Sequence, residues 1–341
     1  MAVTLQDVAV HAGVSQATAS RVLNGSARIP GENVADRVRA AARELGYIPN
    51  AQAQALARAS TGLLGLIVHD VADPYFSSIV RGVQAAARGA HKQVLLASTD
   101  RDFDLERESV NTFIAHRADA IVLAGSRQSG SLDRELEAEF VRYRANGGRV
   151  VVIGQPLASC GAVEPENYLA AAELADALIA AGHRRFAVIG GPGSIRTAVD
   201  RRNGFVEALG RKGLTPLVEV SGDFTRDGGY TAARRLAAAL DDSAGVAEPA
   251  CVFAVTDVMA IGAIAAWREL GLAVPRDVCI AGFDDIPTLR DHVPSLSTVA
   301  LPLEEIGMRA VELALNPDVD ADDVHERVAG RVVLRNSTRI A

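Results

Sequence analysis

"TLQDVAVHAGVSQATASRVLNG" (residues 4–25) decides how the front of this chain folds. Thr4 is a good N-cap, Asp7 complements a helix start three residues on, and Leu5, Val8 and Ala9 form one apolar face. "HAGVS" then breaks the pattern, because Gly13 tolerates the left-handed backbone of a tight turn and Ser15 can cap a second helix. In that helix Ala19, Val22 and Leu23 face Val8 and Ala9, leaving Gln16, Ala17, Ser20 and Arg21 outward. This is the pattern of a helix-turn-helix, whose second helix leads with its N-terminal residues into the major groove. There Gln16 matches adenine, Arg21 guanine and Ala17 a thymine methyl, while the helix starts suit phosphate oxygens. On these residues alone, a helical hairpin with a solvated polar face is an equal alternative.

Working outward, the first sixty residues carry helical patterns only, ending in "GENVADRVRAAARELG" and a short "NAQAQALAR". They hold six arginines against four acids, and the remainder, from totals of 35 basic and 42 acidic residues, holds 29 against 38. A mildly basic head on an acidic body permits nucleic-acid binding at the front, although so small an excess is weak evidence. "ARAST" around Ser60 reads as the junction.

From Gly62 onward short apolar runs alternate with longer helical patterns. Strands are expected at 62–68, 93–98, 120–125, 149–154, 185–190, 216–220, 250–255 and 277–282. Repeated strand and helix units imply parallel sheets with right-handed crossovers, and this number fits two sheets better than one. A chain of 341 residues, 49% of them hydrophobic, is large enough for two or three domains. Neither an export signal nor a stretch of ~18 apolar residues is evident, so a cytoplasmic protein with no membrane association is expected. Cys160, Cys251 and Cys279 lack C-x-x-C spacing and are expected to be buried thiols, with no metal site and no cofactor. No G-x-S-x-G, P-loop, G-x-G-x-x-G or H-E-x-x-H pattern supports an enzyme. "DVDADD" (318–323) imitates a calcium loop, but its glycine position is Asp323 and its twelfth position Ala329, so an acidic surface loop is expected.

Residues 4–25 together with "RVRAAARELGYIPN" resemble the DNA-binding head of the LacI/GalR (lactose-repressor) family of bacterial transcription regulators. The likeness continues through "GLIVHDVADPYFSSIVRGV", "GHRRFAVIGGPG", "RRNGFVEAL", "VFAVTDVMAIGA" and "VPRDVCIAGFDD", in the family's order and across nearly the whole chain. It implies a small all-α helix-turn-helix head on an α/β body of two doubly wound parallel-sheet lobes, like a periplasmic binding protein. The expected divisions are a head at 1–49, a hinge helix and linker at 50–60, a first lobe at 61–160 plus about 293–320, and a second at 161–292 plus about 321–341.

The resemblance implies DNA contacts at Thr4, Ser15, Gln16, Ala17, Thr18, Ser20, Arg21, Asn24 and Asn50. It also implies a hinge leucine, Leu56, pressed into the minor groove, where such a wedge unstacks a base step and bends the duplex. In the body it places Asp73, Tyr75, Phe76, Arg201, Phe224, Thr256, Asp257 and Asp284 in a crevice at the strands' carboxyl ends, where open sheets bind ligands. Arg201 offers a fork to hydroxyls or a carboxylate, Asp284 accepts from hydroxyls or a ring N–H, and Phe224 stacks. Taken without the family, Asp284 reads as a turn cap, Phe76 as core and Arg201 as a surface charge beside Arg202.

This chain departs from the family pattern at several positions. Gly31 and Val34 stand where the third helix commonly starts with Ser and Thr, Ala19 replaces a valine, and Thr256 stands where many relatives have Asn. The expected function is a DNA-binding repressor, controlled by a small effector and acting as a homodimer on palindromic operator DNA. A sugar is the favoured effector and a purine-like molecule the alternative. A solute-binding protein and a sugar-modifying enzyme are the rival classes. No leucine heptads come after "RVVLRNSTRIA", so the tetramer helix of some relatives is not expected.

Overall fold

The computed structural model describes residues 3–24, 30–48, 60–127, 132–157, 160–241, 248–316 and 324–340. The hinge positions Asn50 and Leu56 and the acidic run 318–323 lie outside the described residues. By contact density the chain divides into two units, one of Met1–Leu63 with Arg117–Asp119 and one of Leu64–His116 with Ala120–Ala341.

In the first unit, α1 (Leu5–His11), α2 (Gln16–Asn24) and α3 (Glu32–Glu44) pack around Val8, Ala9, Ala12, Ala19, Val38, Ala41 and Ala42. Five of these seven buried residues are alanines, and Ala19, in the valine position, is fully buried. A capping box starts α1: the Asp7 amide donates to Thr4 Oγ1 at 3.3 Å and the Thr4 amide to Asp7 Oδ2 at 2.8 Å. Those hydrogen bonds hold the Asp7 carboxyl below its usual range. Gly13 makes the turn at φ +65°, a conformation other residues adopt with strain. The departure at α3 is visible as expected: Gly31 is its N-cap and supplies no side-chain hydrogen bond. At the junction, the Ser60 hydroxyl and the Thr61 and Gly62 amides all donate to the Asp119 carboxylate, at 2.8–2.9 Å.

The second unit carries two parallel sheets. The first has six strands in the order β11-β5-β4-β3-β1-β2, with β1 at Leu63–Val68, β2 at Gln93–Ser98, β3 at Ala120–Ala124, β4 at Arg149–Ile153, β5 at Gly161–Pro165 and β11 at His325–Val328. The second has the order β7-β6-β8-β9, with β6 at Phe186–Gly190, β7 at Val218–Ser221, β8 at Ala250–Ala254 and β9 at Val278–Ala281. β3 and β8 are buried along their whole length, as continuous apolar runs require when helices cover both faces. A short antiparallel pair joins β10 (Thr298–Ala300) to β12 (Arg331–Val333).

The lobe division expected from sequence differs at three places: Ser297 and Ala300, expected in the first lobe, are bridged to Ala281 and Asp284 of the second, and two strands change sides. Gly161–Pro165 pairs with β4, and His325–Val328 pairs with β5, so both belong to the first lobe's sheet and not the second. The chain crosses to the second lobe after β5, returns after β10 and crosses again after β11; Pro165, Pro302 and Gly330 stand at these crossings, but no local feature says which sheet the adjoining strand joins.

Helices lock each lobe. In the first, α4 (Pro74–Gly89) crosses α11 (Leu303–Leu315) at Gly82, where a Cβ would sit 1.9 Å from the Glu304 carbonyl oxygen. In the second, α8 (Arg196–Arg211) contributes Phe205, stacked on Phe253 at 4.5 Å and edge-on to Phe186 at 5.9 Å. Such pairs add ~0.5–1.5 kcal/mol each beyond the area they bury. Cys160, Cys251 and Cys279 are buried free thiols.

Candidate functional site

Two regions gather the sequence-derived candidates, one in each unit. On the head, Ser15 caps α2 by accepting from the Thr18 amide at 3.1 Å, and its hydroxyl meets that of Thr18 at 2.8 Å. Asn24 Nδ2 donates to Ser20 Oγ at 3.0 Å, bracing the far end of the same face. Thr4, Ser15, Gln16, Ala17 and Arg21 are exposed, and Thr18, Ser20 and Asn24 half-buried. Neither Gln16 nor Arg21 makes a hydrogen bond or ion pair with a described residue. A helix that leaves its long polar side chains unpaired while capping its own start presents donors at one end to an outside acceptor. That geometry suits base edges flanked by phosphates.

In the body, a crevice of about 500 Å3, counted to its open mouth, lies between the lobes. Every strand that feeds it ends there: β1 leads to His69 and Asp73, β3 to Ser126, β4 to Gly154, β6 to Thr197, β7 to Phe224, β8 to Thr256 and β9 to Asp284. Seven of the expected positions converge on it, namely Asp73, Tyr75, Phe76, Arg201, Phe224, Thr256 and Asp284.

Arg201 is not a surface charge; it is 2% exposed and every nitrogen is engaged. Nε donates to Asn167 Oδ1 at 2.8 Å, Nη1 to the Val255 carbonyl at 2.9 Å, and Nη2 lies 2.8 Å from Asp284 Oδ1. The guanidinium also sits 3.9 Å from the Phe283 ring centroid. The contact with Asp284 is close but misaligned, so the buried Oδ1 keeps an open acceptor direction. Burial pushes the Asp284 carboxyl up, against the pull of Arg201. Asp284 and Asp285 both have left-handed φ, of 120° and 56°, which turns the first carboxylate inward while the second pairs with Arg335 at 2.7 Å.

Asp73 caps α4 through Oδ1, which accepts from the Tyr75 amide at 3.0 Å. Burial raises its pKa, and it also holds the Tyr75 hydroxyl well above its ordinary value. Thr256 Oγ1 accepts from the Met259 amide at 3.3 Å and so caps α10 (Asp257–Glu269). Phe76 packs into the first-lobe core as well as lining the crevice, joining Tyr75 edge-on at 4.9 Å.

Asp257 is a correction. It does not line the crevice: it is fully buried, its Oδ1 accepting from the Thr298 hydroxyl at 2.7 Å and its Oδ2 from the Ile286 amide at 3.0 Å. It ties β10 and the loop after β9 to the start of α10. Burial raises its pKa to about 7. Because the folded value lies above the unfolded one, its contribution is complete below about pH 4 and is lost as pH rises through 7. Asp257→Asn is therefore expected to flatten the decline of body stability between those limits, by up to about 1.4 kcal/mol per pH unit. Urea melts at closely spaced pH values check this, and an unchanged slope would refute it.

Sequence reasoning missed His69, Arg101, Ser126, Gln155, Asn167 and Thr197. A signal was present, since most of them sit just past a strand's carboxyl end. Gln155 Nε2 donates to Thr197 Oγ1 at 3.0 Å, the Thr197 amide to Ser126 Oγ at 3.1 Å, and the Arg196 amide to the Arg127 carbonyl at 3.3 Å, all between lobes. Arg127 is fastened beneath by a buried bidentate pair with Glu106 at 2.7 and 2.8 Å. His69 is held neutral, burial and then Arg127 and Arg101 pushing its pKa down to about 3. Among the described residues no group of His, Cys, Asp and Glu is placed to hold a metal ion, and no helix is long and apolar enough to cross a membrane.

Comparison with known proteins agrees with this layout. Residues 4–50 match the family described as bacterial regulatory proteins, lacI family, and residues 175–338 match a periplasmic binding protein-like domain. The HTH-type transcriptional repressor CytR of Escherichia coli (strain K12) is 33% identical over 92% of this chain and 89% of its own length. The structure of the lac repressor dimer bound to operator and the anti-inducer ONPF superposes with a TM-score of 0.84 at 24% identity, covering 100% of both chains. A transcriptional regulator CelR–cellobiose complex gives 0.69 at 28%, over 98% of this chain and 99% of that one.

Proposed function

This chain belongs to the LacI family of bacterial regulatory proteins, and from that premise we propose a sequence-specific repressor whose operator affinity is set by a sugar bound between its lobes. The observation that carries this reading is the combination of Gln16 and Arg21, which pair with no described residue, on a capped second helix with a crevice framed by Arg201, Asp284 and Phe224. The mixed acid and guanidinium chemistry suits vicinal hydroxyls, and Phe224 suits the apolar face of a pyranose or furanose ring. The cellobiose found in the CelR complex is of the same class.

Two heads are needed for useful affinity in a major-groove reader of this size, so the acting species is a homodimer on a palindromic site. Effector binding shifts the balance between two lobe arrangements, and that balance determines whether both heads engage DNA together. A coupling of ~1–3 kcal/mol is enough to move operator affinity by the usual factors. The test is selection of bound sequences from random DNA by the full chain, with and without a panel of sugars and purines. A palindromic consensus that weakens or strengthens with one sugar supports the proposal. A full titration that leaves operator affinity unmoved for every compound removes the allosteric part.

Base reading by Arg21 has its own check. Arg21→Ala is expected to cost ~1–3 kcal/mol at one base position and to relax specificity there alone. Competition binding against single-base operator variants measures it. Equal losses on every sequence would make Arg21 a phosphate contact instead.

A further inference from the structure

We infer that Arg101 is a second ligand-reading cation of the crevice, reaching from the first lobe to Phe224 in the second and donating to oxygens of a polyhydroxylated ligand stacked there. This rests on the sugar reading above.

Asp100 and Arg101 both take left-handed φ, of 50° and 64°, a conformation that costs non-glycine residues energy and persists only where the surrounding structure holds it. The turn is fixed from both sides. The Asp100 amide donates to the His69 carbonyl at 2.6 Å and the Asp102 amide to the Thr99 carbonyl at 2.7 Å, while Asp102 caps α5 (Phe103–Ala115). Its effect is to turn the guanidinium into the crevice, 5.6 Å from the Phe224 ring centroid.

The side chain is under-partnered there. Its one hydrogen bond to a described residue runs from Nη2 to the Phe224 carbonyl at 3.5 Å, the outer limit of such a bond. No described carboxylate lies within the 4.0 Å of an ion pair, although Asp70, Asp73 and Asp100 surround it at greater range. Arg201 differs in having every nitrogen braced. Most of the N–H donors of Arg101 therefore face the crevice with no described residue to meet, beside an Asp73 carboxylate whose Oδ2 makes no hydrogen bond to a described residue. A donor fork next to a carboxylate is the match for hydroxyls, which accept from one and donate to the other.

The experiment uses the full chain, calorimetric titration with ribose, glucose, galactose and cellobiose, and single-deoxy analogues of whichever sugar binds tightest. Arg101→Gln is expected to weaken that sugar roughly tenfold or more, with Arg101→Lys recovering part of the loss. One deoxy analogue is expected to bind the wild type about tenfold worse yet bind Arg101→Gln no worse than the parent sugar, a coupling that a structural role would not produce. Wild-type affinity in Arg101→Gln, or equal losses for every analogue, overturns the inference and leaves the sugar reading standing. A wild-type chain that takes none of these sugars overturns that reading and this inference together.

Discussion

Replacing Arg201 by methionine is expected to cost the body ~3–5 kcal/mol of unfolding free energy, the largest stability effect of any crevice substitution. The change removes the counter-ion from Asp284, which is only 3% exposed, and strands the Asn167 side-chain oxygen and the Val255 carbonyl. A buried carboxylate without its guanidinium pays its desolvation uncompensated. Loss of the cation raises the Asp284 pKa further, so the deficit is expected to shrink as pH falls and the carboxyl is protonated. The double variant Arg201→Met, Asp284→Leu removes both charges and is expected to recover most of the loss. Urea melts of the three proteins at pH 5 and 8 check this set. A single variant within ~0.5 kcal/mol of wild type would mean that the pair contributes nothing to folding.

Putting an aspartate in place of Val38 is expected to abolish specific DNA binding while leaving ligand titration unchanged. Val38 is fully buried in a head core otherwise made mostly of alanines. A core of that size rarely supplies more than ~3–5 kcal/mol, and burying an unpaired carboxylate consumes several. The head unfolds and affinity drops to the non-specific level, about a thousandfold or more below the specific one. The body, with its own cores, continues to bind ligand. Val38→Ile serves as the conservative control, expected to bind operator within a few fold of wild type. Retention of sequence preference by Val38→Asp in competition assays would show that the three helices do not depend on this core.

Local chemistry made much of the molecule legible. Caps and turns read directly, as Thr4, Asp7, Gly13 and Ser15 show, because a capping hydrogen bond spans three residues and needs nothing distant. The expected strands 62–68 through 277–282 each have a counterpart; the central ones are legible because parallel strands buried on both faces must be apolar throughout, and the edge strands β2 and β7 through their short apolar runs. The short strands β5, β10, β11 and β12 were not legible. β11, for example, reads "HERV", polar enough to pass for loop, and is a strand only because β5 stands beside it.

The crevice shows the same boundary between local and distant causes. Its aromatics and Arg201 were named from the chain's resemblance to a family, but the charge state and freedom of each depend on neighbours far along the chain. Asp257 and Asp284 each lie three residues past a strand's carboxyl end, after β8 and β9. One is used up by Thr298 and Ile286, the other keeps an open oxygen beside Arg201. By itself, then, the sequence determined which segments are helix or buried strand, where the head's turn falls, and which face of α2 is polar. All of these arise from interactions within a few residues. Tertiary structure alone decided the lobe to which β5 and β11 belong, which carboxylates face the crevice, and that Arg101 reaches Phe224 across it, because burial and partner choice are properties of segments brought together across the fold.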